Sequence, residues 1–444
     1  MEPTRSPLLI DLYELTMLQT YFEHGMTGEA VFEFFVRDAP AKRPYYVAAG
    51  LAQLLEWLQN MRFSAEELDW VRDCGHFNAE FADRLEGLRF TGDVHAMPEG
   101  TVFFAQEPLV RVRAPLPEAQ LIESRLMNIV HFQSLIATKA ARCVQAADGR
   151  AVVDFGLRRA HGAEAGLWAA RAAYIAGFAA SATCLANALY GVPVTGTMAH
   201  SFVLAHEDER AAFRRFALSH PDNVVLLIDT YDTEAAAREV VELARELEAD
   251  GIRVKAVRLD SGDLGRHATL VRQILDQGGQ QDVRILASGG LDEFGIRELV
   301  ERGAPIDGFG VGSKVDTSAD LPFLDSAYKL HVYAGESRRK RSEGKEDLPG
   351  AKQVYRSWDG EGRLSRDVIG LDDEDCEGQP LLRQVMAGGA PLAAPESLDV
   401  LRERCAESLA SLPERWRDLD GAESTPAVLS EGLQELRRRL DETD

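Results

Sequence analysis

The chain is short of cysteine, of positive charge and of long apolar runs. Its five cysteines, Cys74, Cys143, Cys184, Cys376 and Cys405, are scattered, with no CxxC pair. That spacing supports neither a zinc ribbon nor a disulfide framework, so the thiols read as buried or indifferent. Lysine and arginine number 49 against 72 acidic residues, a formal net charge of −23. Such a balance argues against nonspecific partners that are nucleic acid or anionic membrane. It leaves room for an anionic small molecule, because a nest of backbone N–H groups holds phosphate even in an acidic protein. No apolar run is long enough to cross a bilayer. The stretch of lowest charge, Leu167 to Thr197, is interrupted by Arg171, and its first part reads as a closely packed helix. The N-terminus MEPTRSPLLIDLYELTM lacks a basic region followed by an apolar core and a cleavage site, so a cytoplasmic location is expected.

What the chain does have is a series of short apolar runs ending in small or chargeable residues. They begin at Ala151 (AVVDFGLRR), Val192 (VPVTGTMAHSF), Val224 (VVLLIDTYDT), Val254 (VKAVRLDSGDLG), Val283 (VRILASGGLDE) and Ile306 (IDGFGVGSK). Helical patterns over 120–142, 163–189, 233–249, 264–277 and 291–302 separate them, as in repeated βα units. An open doubly wound sheet shows a similar pattern. A parallel α/β barrel, irregular and with fewer than eight clear strands, is favoured because polar tails follow nearly every strand. Residues 1–120 read as an α+β domain, with a helix over 8–21, a strand over 29–37, helices over 51–58 and 66–74, and strands and turns over 91–119. The barrel is expected over 121–330. A return segment over 331–394, including a charged exposed stretch over 338–347 and a hairpin over 351–371, is expected to complete the smaller domain. Residues 395–444 read as a helical C-terminal segment.

The tails carry the chemistry. In GFGVGS, Gly310 and Gly312 let the backbone approach a ligand, Ser313 offers a hydroxyl, and their N–H groups can cradle a phosphate. Ser288, Gly289 and Gly290 can do the same one strand earlier. Both are equally readable as ordinary glycine turns, and neither matches a Rossmann or P-loop motif. Asp260, directly after a strand, can hold two ribose hydroxyls or a divalent ion on a diphosphate, magnesium being the fitting metal, or it can cap a turn. Asp229 and Asp232 form another acidic tail. His200 is either a packed residue or a nucleophile, since imidazole accepts a phosphoryl group as well as a proton. Thr195, Gly196 and Thr197 lie beside it.

Taken together, DLYELTM (11–17), DFGLRRAHG (154–162), GTMAHSFV (196–203), RLDSGDL (258–264), ASGGLDE (287–293) and GFGVGS (308–313) resemble the nicotinate phosphoribosyltransferase family, over roughly residues 8 to 370. The resemblance implies the barrel of type II phosphoribosyltransferases and an ATP-dependent enzyme classed as a ligase. It implies transfer of phosphoribosyl from 5-phosphoribosyl 1-diphosphate to nicotinate, giving nicotinate mononucleotide and diphosphate, with magnesium as cofactor and ATP as co-substrate. His200 would be the phosphoacceptor, and Asp260 the ribose or metal ligand. Arg158 would read the nicotinate carboxylate or the diphosphate. Tyr13 would stack on the pyridine ring from the neighbouring subunit of a homodimer. Thr197, Ser201, Ser288, Gly289, Gly290, Gly310, Gly312 and Ser313 would line the phosphate side. Two departures stand out: Gly290 where the family commonly has an acidic residue, and Ile10 where it commonly has threonine. Nicotinamide phosphoribosyltransferase is the nearest rival reading, and a noncatalytic phosphosugar sensor is the rival from another class.

Overall fold

The computed structural model describes residues 3–39, 43–340, 347–421 and 427–442. Two folding units make up the chain, one from residues 136–322 and the other from both ends. Part of the expected charged stretch, 341–346, lies outside the described residues.

In the unit spanning 136–322, six short strands form one sheet: β1 (Ala151–Asp154), β2 (Ala180–Ser181), β3 (Val225–Leu227), β4 (Ala256–Leu259), β5 (Arg284–Ala287) and β6 (Gly308–Val311). Their order is β2-β1-β6-β5-β4-β3, and every neighbouring pair is parallel. Parallel strands need helical crossovers, and each crossover here follows an amphipathic pattern. The helix Thr233–Glu248 buries Ala236, Ala237, Val240, Val241, Leu243, Ala244 and Leu247, the three-to-four spacing of one face. Covered on both faces, the strands are nearly all apolar, with Leu226, Val257, Ile285, Phe309 and Val311 buried.

Two expectations for this unit fail. The pattern over 163–189 is not one helix but two, Ala163–Ile175 and Cys184–Tyr190, with β2 between them. Gly177 breaks it by adopting φ +115°, a conformation closed to other residues without strain. The run at Val192 is not a strand. Pro193 has no N–H to give a ladder, so the segment makes an isolated bridge between Ser181 and Val194, with the Ser181 N–H donating to the Pro193 carbonyl at 3.0 Å.

The other unit holds a seven-stranded antiparallel sheet in which Glu29–Val36 lies between Ser326–Tyr333 and Val110–Pro115, with Asp93–Ala96 and Arg383–Ala387 beyond. Three early strands thus lie side by side, with late strands on both flanks of one sheet. For that reason this unit takes the greater share of the chain, not the smaller share expected. Lys352–Trp358 and Leu364–Leu371 form the expected hairpin in a separate four-stranded sheet. The helix Ala65–Asp73 begins in a capping box, Ser64 accepting from the Glu67 N–H while the Glu67 carboxylate accepts from the Ser64 N–H. The end of the expected 91–119 strand region is instead the short helix Leu116–Leu121, with Pro117 in its first turn.

Candidate active site

Parallel strands place all their C-terminal ends at one edge of the sheet. Two kinds of aspartate stand there. Asp232, Asp263 and Asp292 cap the following helices, each accepting a backbone N–H, from Ala235 at 2.7 Å, Arg266 at 3.1 Å and Gly295 at 3.0 Å. Asp229 and Asp260 come first in their tails and turn elsewhere. Asp229 Oδ2 accepts the Asp260 N–H at 2.9 Å and the Ser261 hydroxyl at 2.5 Å. Its Oδ1 is buried without a donor. Asp260 Oδ1 accepts the Ser288 hydroxyl at 2.5 Å. A Cβ on Gly289 would sit 2.0 Å from the Asp260 carbonyl oxygen, and Gly289 has φ +102°, so glycine is demanded there.

His200 opens the short helix His200–Leu204 and joins this group. Its Nδ1 lies 3.2 Å from the Thr230 hydroxyl. Its Nε2 lies 3.8 Å from Asp260 Oδ2 and 4.0 Å from Asp229 Oδ1, with the side chain 40% exposed. The imidazole is therefore tied by one hydrogen bond, flanked by two carboxylates and still open to solvent. Thr197 Oγ1 accepts from Arg258 Nη1 at 2.8 Å, and Arg258 lies over the Phe155 ring, 5.7 Å from its centroid. Burial lowers the Arg258 pKa, Asp260 and Asp229 oppose that, and the nearby Arg158 adds to it. Ser201 is exposed one residue beyond His200.

The phosphate candidates divide. Gly310 lies inside β6, where a Cβ would meet the Phe155 ring at 2.5 Å, so packing accounts for that glycine. Gly312 and Ser313 follow the strand. A Cβ on Gly312 would come within 2.8 Å of the Phe155 carbonyl oxygen. Arg159 Nη1 donates to Ser313 Oγ at 3.3 Å, while Arg158 is exposed on the same turn. Gly290, φ +66°, faces open space. Asp292 does not replace the carboxylate missing at 290. Burial would raise its pKa, but Lys314, at 2.9 Å, and the Gly295 N–H outweigh that and hold it low.

Three site residues escaped the sequence reading. Arg258 opens the RLDSGDL motif yet was passed over for Asp260. Phe155 hides in an apolar run. Thr230 stands next to Asp229. The spacing of site aspartate to cap aspartate, three residues in both DTYD and DSGD, is the signal that separates their roles.

Tyr13 belongs to the other unit. It sits in the helix Leu12–Glu23, 44% exposed, on a cleft of about 450 Å³ lined by Asp11, Glu123, Ser124, Arg125 and Asn128. Its phenol donates to Glu123, and burial followed by the charges of Glu123 and Glu14 raises its pKa. Glu14 is pushed up to about 8 by burial, against the Ser124 hydrogen bonds that favour its charge.

Among the described residues no group of three or more His, Cys, Asp or Glu side chains is arranged to hold a metal ion, and no helix is long and apolar enough to cross a membrane. A divalent ion here would have to draw oxygens from a bound phosphate. Asp260, and the donor-free oxygen of Asp229, fit that shared arrangement.

Glycine turns at the strand ends, an imidazole and two carboxylates thus stand together at one edge of a parallel sheet with helical crossovers. Residues 136–324 match the family model for the quinolinate phosphoribosyl transferase C-terminal domain, and residues 8–131 match that for the nicotinate phosphoribosyltransferase N-terminal domain. The chain belongs to the nicotinate phosphoribosyltransferase family. It is 46% identical over 440 residues to nicotinate phosphoribosyltransferase pncB2 of Mycobacterium tuberculosis, covering 98% of this chain and 94% of that protein. It is 41% identical over 382 residues to the nicotinate phosphoribosyltransferase of Bacillus subtilis, covering 84% and 78%. The solved human nicotinic acid phosphoribosyltransferase superposes with a TM-score of 0.85 at 28% identity, over 98% of this chain and all of that one. The nicotinate-nucleotide pyrophosphorylase of Pyrococcus furiosus shares the fold, with a TM-score of 0.76 at 24% identity and coverage of 92% and 96%.

Proposed function

We propose that this chain transfers phosphoribosyl from 5-phosphoribosyl 1-diphosphate to nicotinate, forming nicotinate mononucleotide and diphosphate, and couples the transfer to ATP hydrolysis through His200. The observation that supports it best is the imidazole of His200 fixed between Thr230, Asp229 and Asp260 while open to solvent. The coupling step forms a nitrogen–phosphorus bond on His200 as the γ-phosphoryl bond to ADP breaks. Hydrolysis of the phosphohistidine later releases phosphate.

In the transfer itself the pyridine nitrogen forms a bond to the anomeric carbon as the bond to diphosphate breaks, through an oxocarbenium-like state. Asp260 serves the ribose hydroxyls. The N–H groups of Gly289, Gly290, Gly312 and Ser313 serve the 5′-phosphate, with Ser288, Thr197 and Ser201 around it. Arg158 reads the nicotinate carboxylate or the diphosphate. Arg258 over Phe155 offers a second planar cation and an aromatic face for a flat ring. Magnesium, held by Asp260 with Asp229, would offset charge on the departing diphosphate. A homodimer would let Tyr13 of the neighbouring subunit stack on the base.

The test supplies nicotinate, the phosphoribosyl donor, magnesium and ATP, and quantifies mononucleotide and phosphate together. His200→Asn should abolish the dependence of product on ATP hydrolysis. Full coupling retained in that variant would remove His200 as phosphoacceptor. Turnover of nicotinamide alone would favour the neighbouring salvage enzyme.

A further inference from the structure

Beside the Arg158–Arg159 and Gly312–Ser313 turns lie two carboxyl groups that the mechanism does not use. Asp154 ends β1, 1% exposed, and Asp316 ends the short helix Ser313–Asp316, fully buried. Asp154 Oδ1 accepts the Gly156 N–H at 2.7 Å and its Oδ2 accepts the Ser181 hydroxyl at 2.6 Å. Among the described residues neither oxygen of Asp316 meets an N–H or hydroxyl donor. Its carboxyl group faces Asp154 and lies flat on the Gly156 backbone, so close that a Cβ on Gly156 would come 2.2 Å from its Cγ.

Two buried carboxylates in contact cannot both be charged. Asp154 has two donors and suits the anion. Asp316 has none and suits the acid. We propose that Asp316 is a neutral carboxylic acid donating its proton to Asp154, and that this pair is a positioning device fixing the Arg158–Arg159 turn against the Gly312–Ser313 turn. One end of the link is the residue two before Gly156, and the other is three beyond Ser313. The Phe155 N–H to Val311 carbonyl bond at 2.7 Å and the Arg159–Ser313 bond complete the joint.

The surroundings agree. Burial raises both carboxyl pKa values, Asp316 well above its ordinary range, and next to burial the Asp154 charge is the main cause there. Ser181 and the Gly156 N–H counter the rise at Asp154. The other ionisable groups on the packed elements are Arg158 and Arg159 on the turn, Lys314 on the short helix, and Glu164, the buried Arg171 and Tyr174 on the helix Ala163–Ile175. Lys314 is engaged by Asp292 and Arg159 by Ser313.

The test uses the full chain as wild type, Asp316→Asn and Asp316→Leu. Its kinetic arm rests on the reaction proposed above, and its spectroscopic arm does not. The infrared difference between wild type and each variant at neutral pH should show the carbonyl stretch of one buried neutral carboxylic acid, the bands of Glu14 and Glu107 cancelling. Asparagine supplies an N–H in place of the acid, so the KM for 5-phosphoribosyl 1-diphosphate should stay within about twofold. Leucine should raise that KM about tenfold or more, with less change in kcat. The wild-type KM should climb on the alkaline side as the shared proton leaves, and Asp316→Asn should flatten that limb. No acid band in the difference spectrum would overturn the proposal, as would an asparagine variant as impaired as leucine or one with an unchanged pH profile. A wild type inactive on nicotinate would defeat the reaction instead, and the infrared band would still decide the pair.

Discussion

Each folding unit buries a pair of carboxyl groups, and the two pairs are neutralised differently. In the antiparallel unit, Asp367, beside Glu107, takes the guanidinium of Arg356, which donates from Nε to Asp367 at 2.9 Å, from Nη2 to Asp367 at 2.6 Å and from Nη1 to the Val102 carbonyl at 2.8 Å. In the parallel unit, Asp154 and Asp316 have a serine, a backbone N–H and each other. In the first pair a cation compensates the charged member, Asp367, and Glu107 is the neutral one. The second has no such cation, depends on one shared proton in our proposal and adjoins the turns proposed to hold anions. The contrast separates a carboxyl pair that is structural from one whose state a substrate phosphate can feel.

The largest effect should come from deleting the cation. Arg356→Met leaves Asp367 charged and buried without compensation, at a cost of about 3–5 kcal/mol. Urea unfolding should read a correspondingly lower midpoint. A loss under about 1 kcal/mol would mean that Arg356 does not compensate the Asp367 charge, and the contrast would collapse. Next comes Gly289→Ala, on the site side. Its methyl group would meet the Asp260 carbonyl oxygen at 2.0 Å in a backbone conformation unsuited to alanine. Displacing Asp260 should cut kcat/KM by on the order of a hundredfold, more than the stability loss alone would give. Steady-state kinetics beside a melting curve would tell these apart.

Much of this was readable before any coordinates. Five of the six apolar runs became strands of one sheet, because strand length, apolar continuity and a following amphipathic helix all agree in them. The sixth misled: Val192 begins an apolar run, but Pro193 cannot join a ladder. Asp260 was legible as a chargeable residue directly after a strand, and His200 only through its motif, since no strand precedes it. Arg258 was not, since its guanidinium crosses from a strand position to Thr197 and Phe155, which only the tertiary path brings near. Asp316 was invisible for the same reason. It looks like an ordinary helix-end residue until the fold sets it on Gly156.

The smallest effect, and the sharpest check on the comparison, is Glu107→Gln. Burial and then the Asp367 charge raise the Glu107 pKa well above 4.5, Arg356 countering only in part. Glu107 therefore keeps its proton in the folded state, donating to Asp367 while its Oε2 accepts the Phe104 N–H at 2.9 Å. Glutamine reproduces both bonds, so near pH 5 stability should change by less than about 1 kcal/mol. The sign then follows from linkage. An acid with a raised folded pKa contributes its full stability below its unfolded value, and loses it as pH climbs toward the folded value, because the unfolded chain ionises first. Glutamine cannot ionise, so the variant should gain on the wild type as pH rises, by up to about 1.4 kcal/mol per pH unit. Denaturation at several pH values reads that slope. Parallel curves would mean that Glu107 is charged when folded, with Arg356 neutralising both carboxylates, and the protonated pair beneath the active site would then have no counterpart in the other unit.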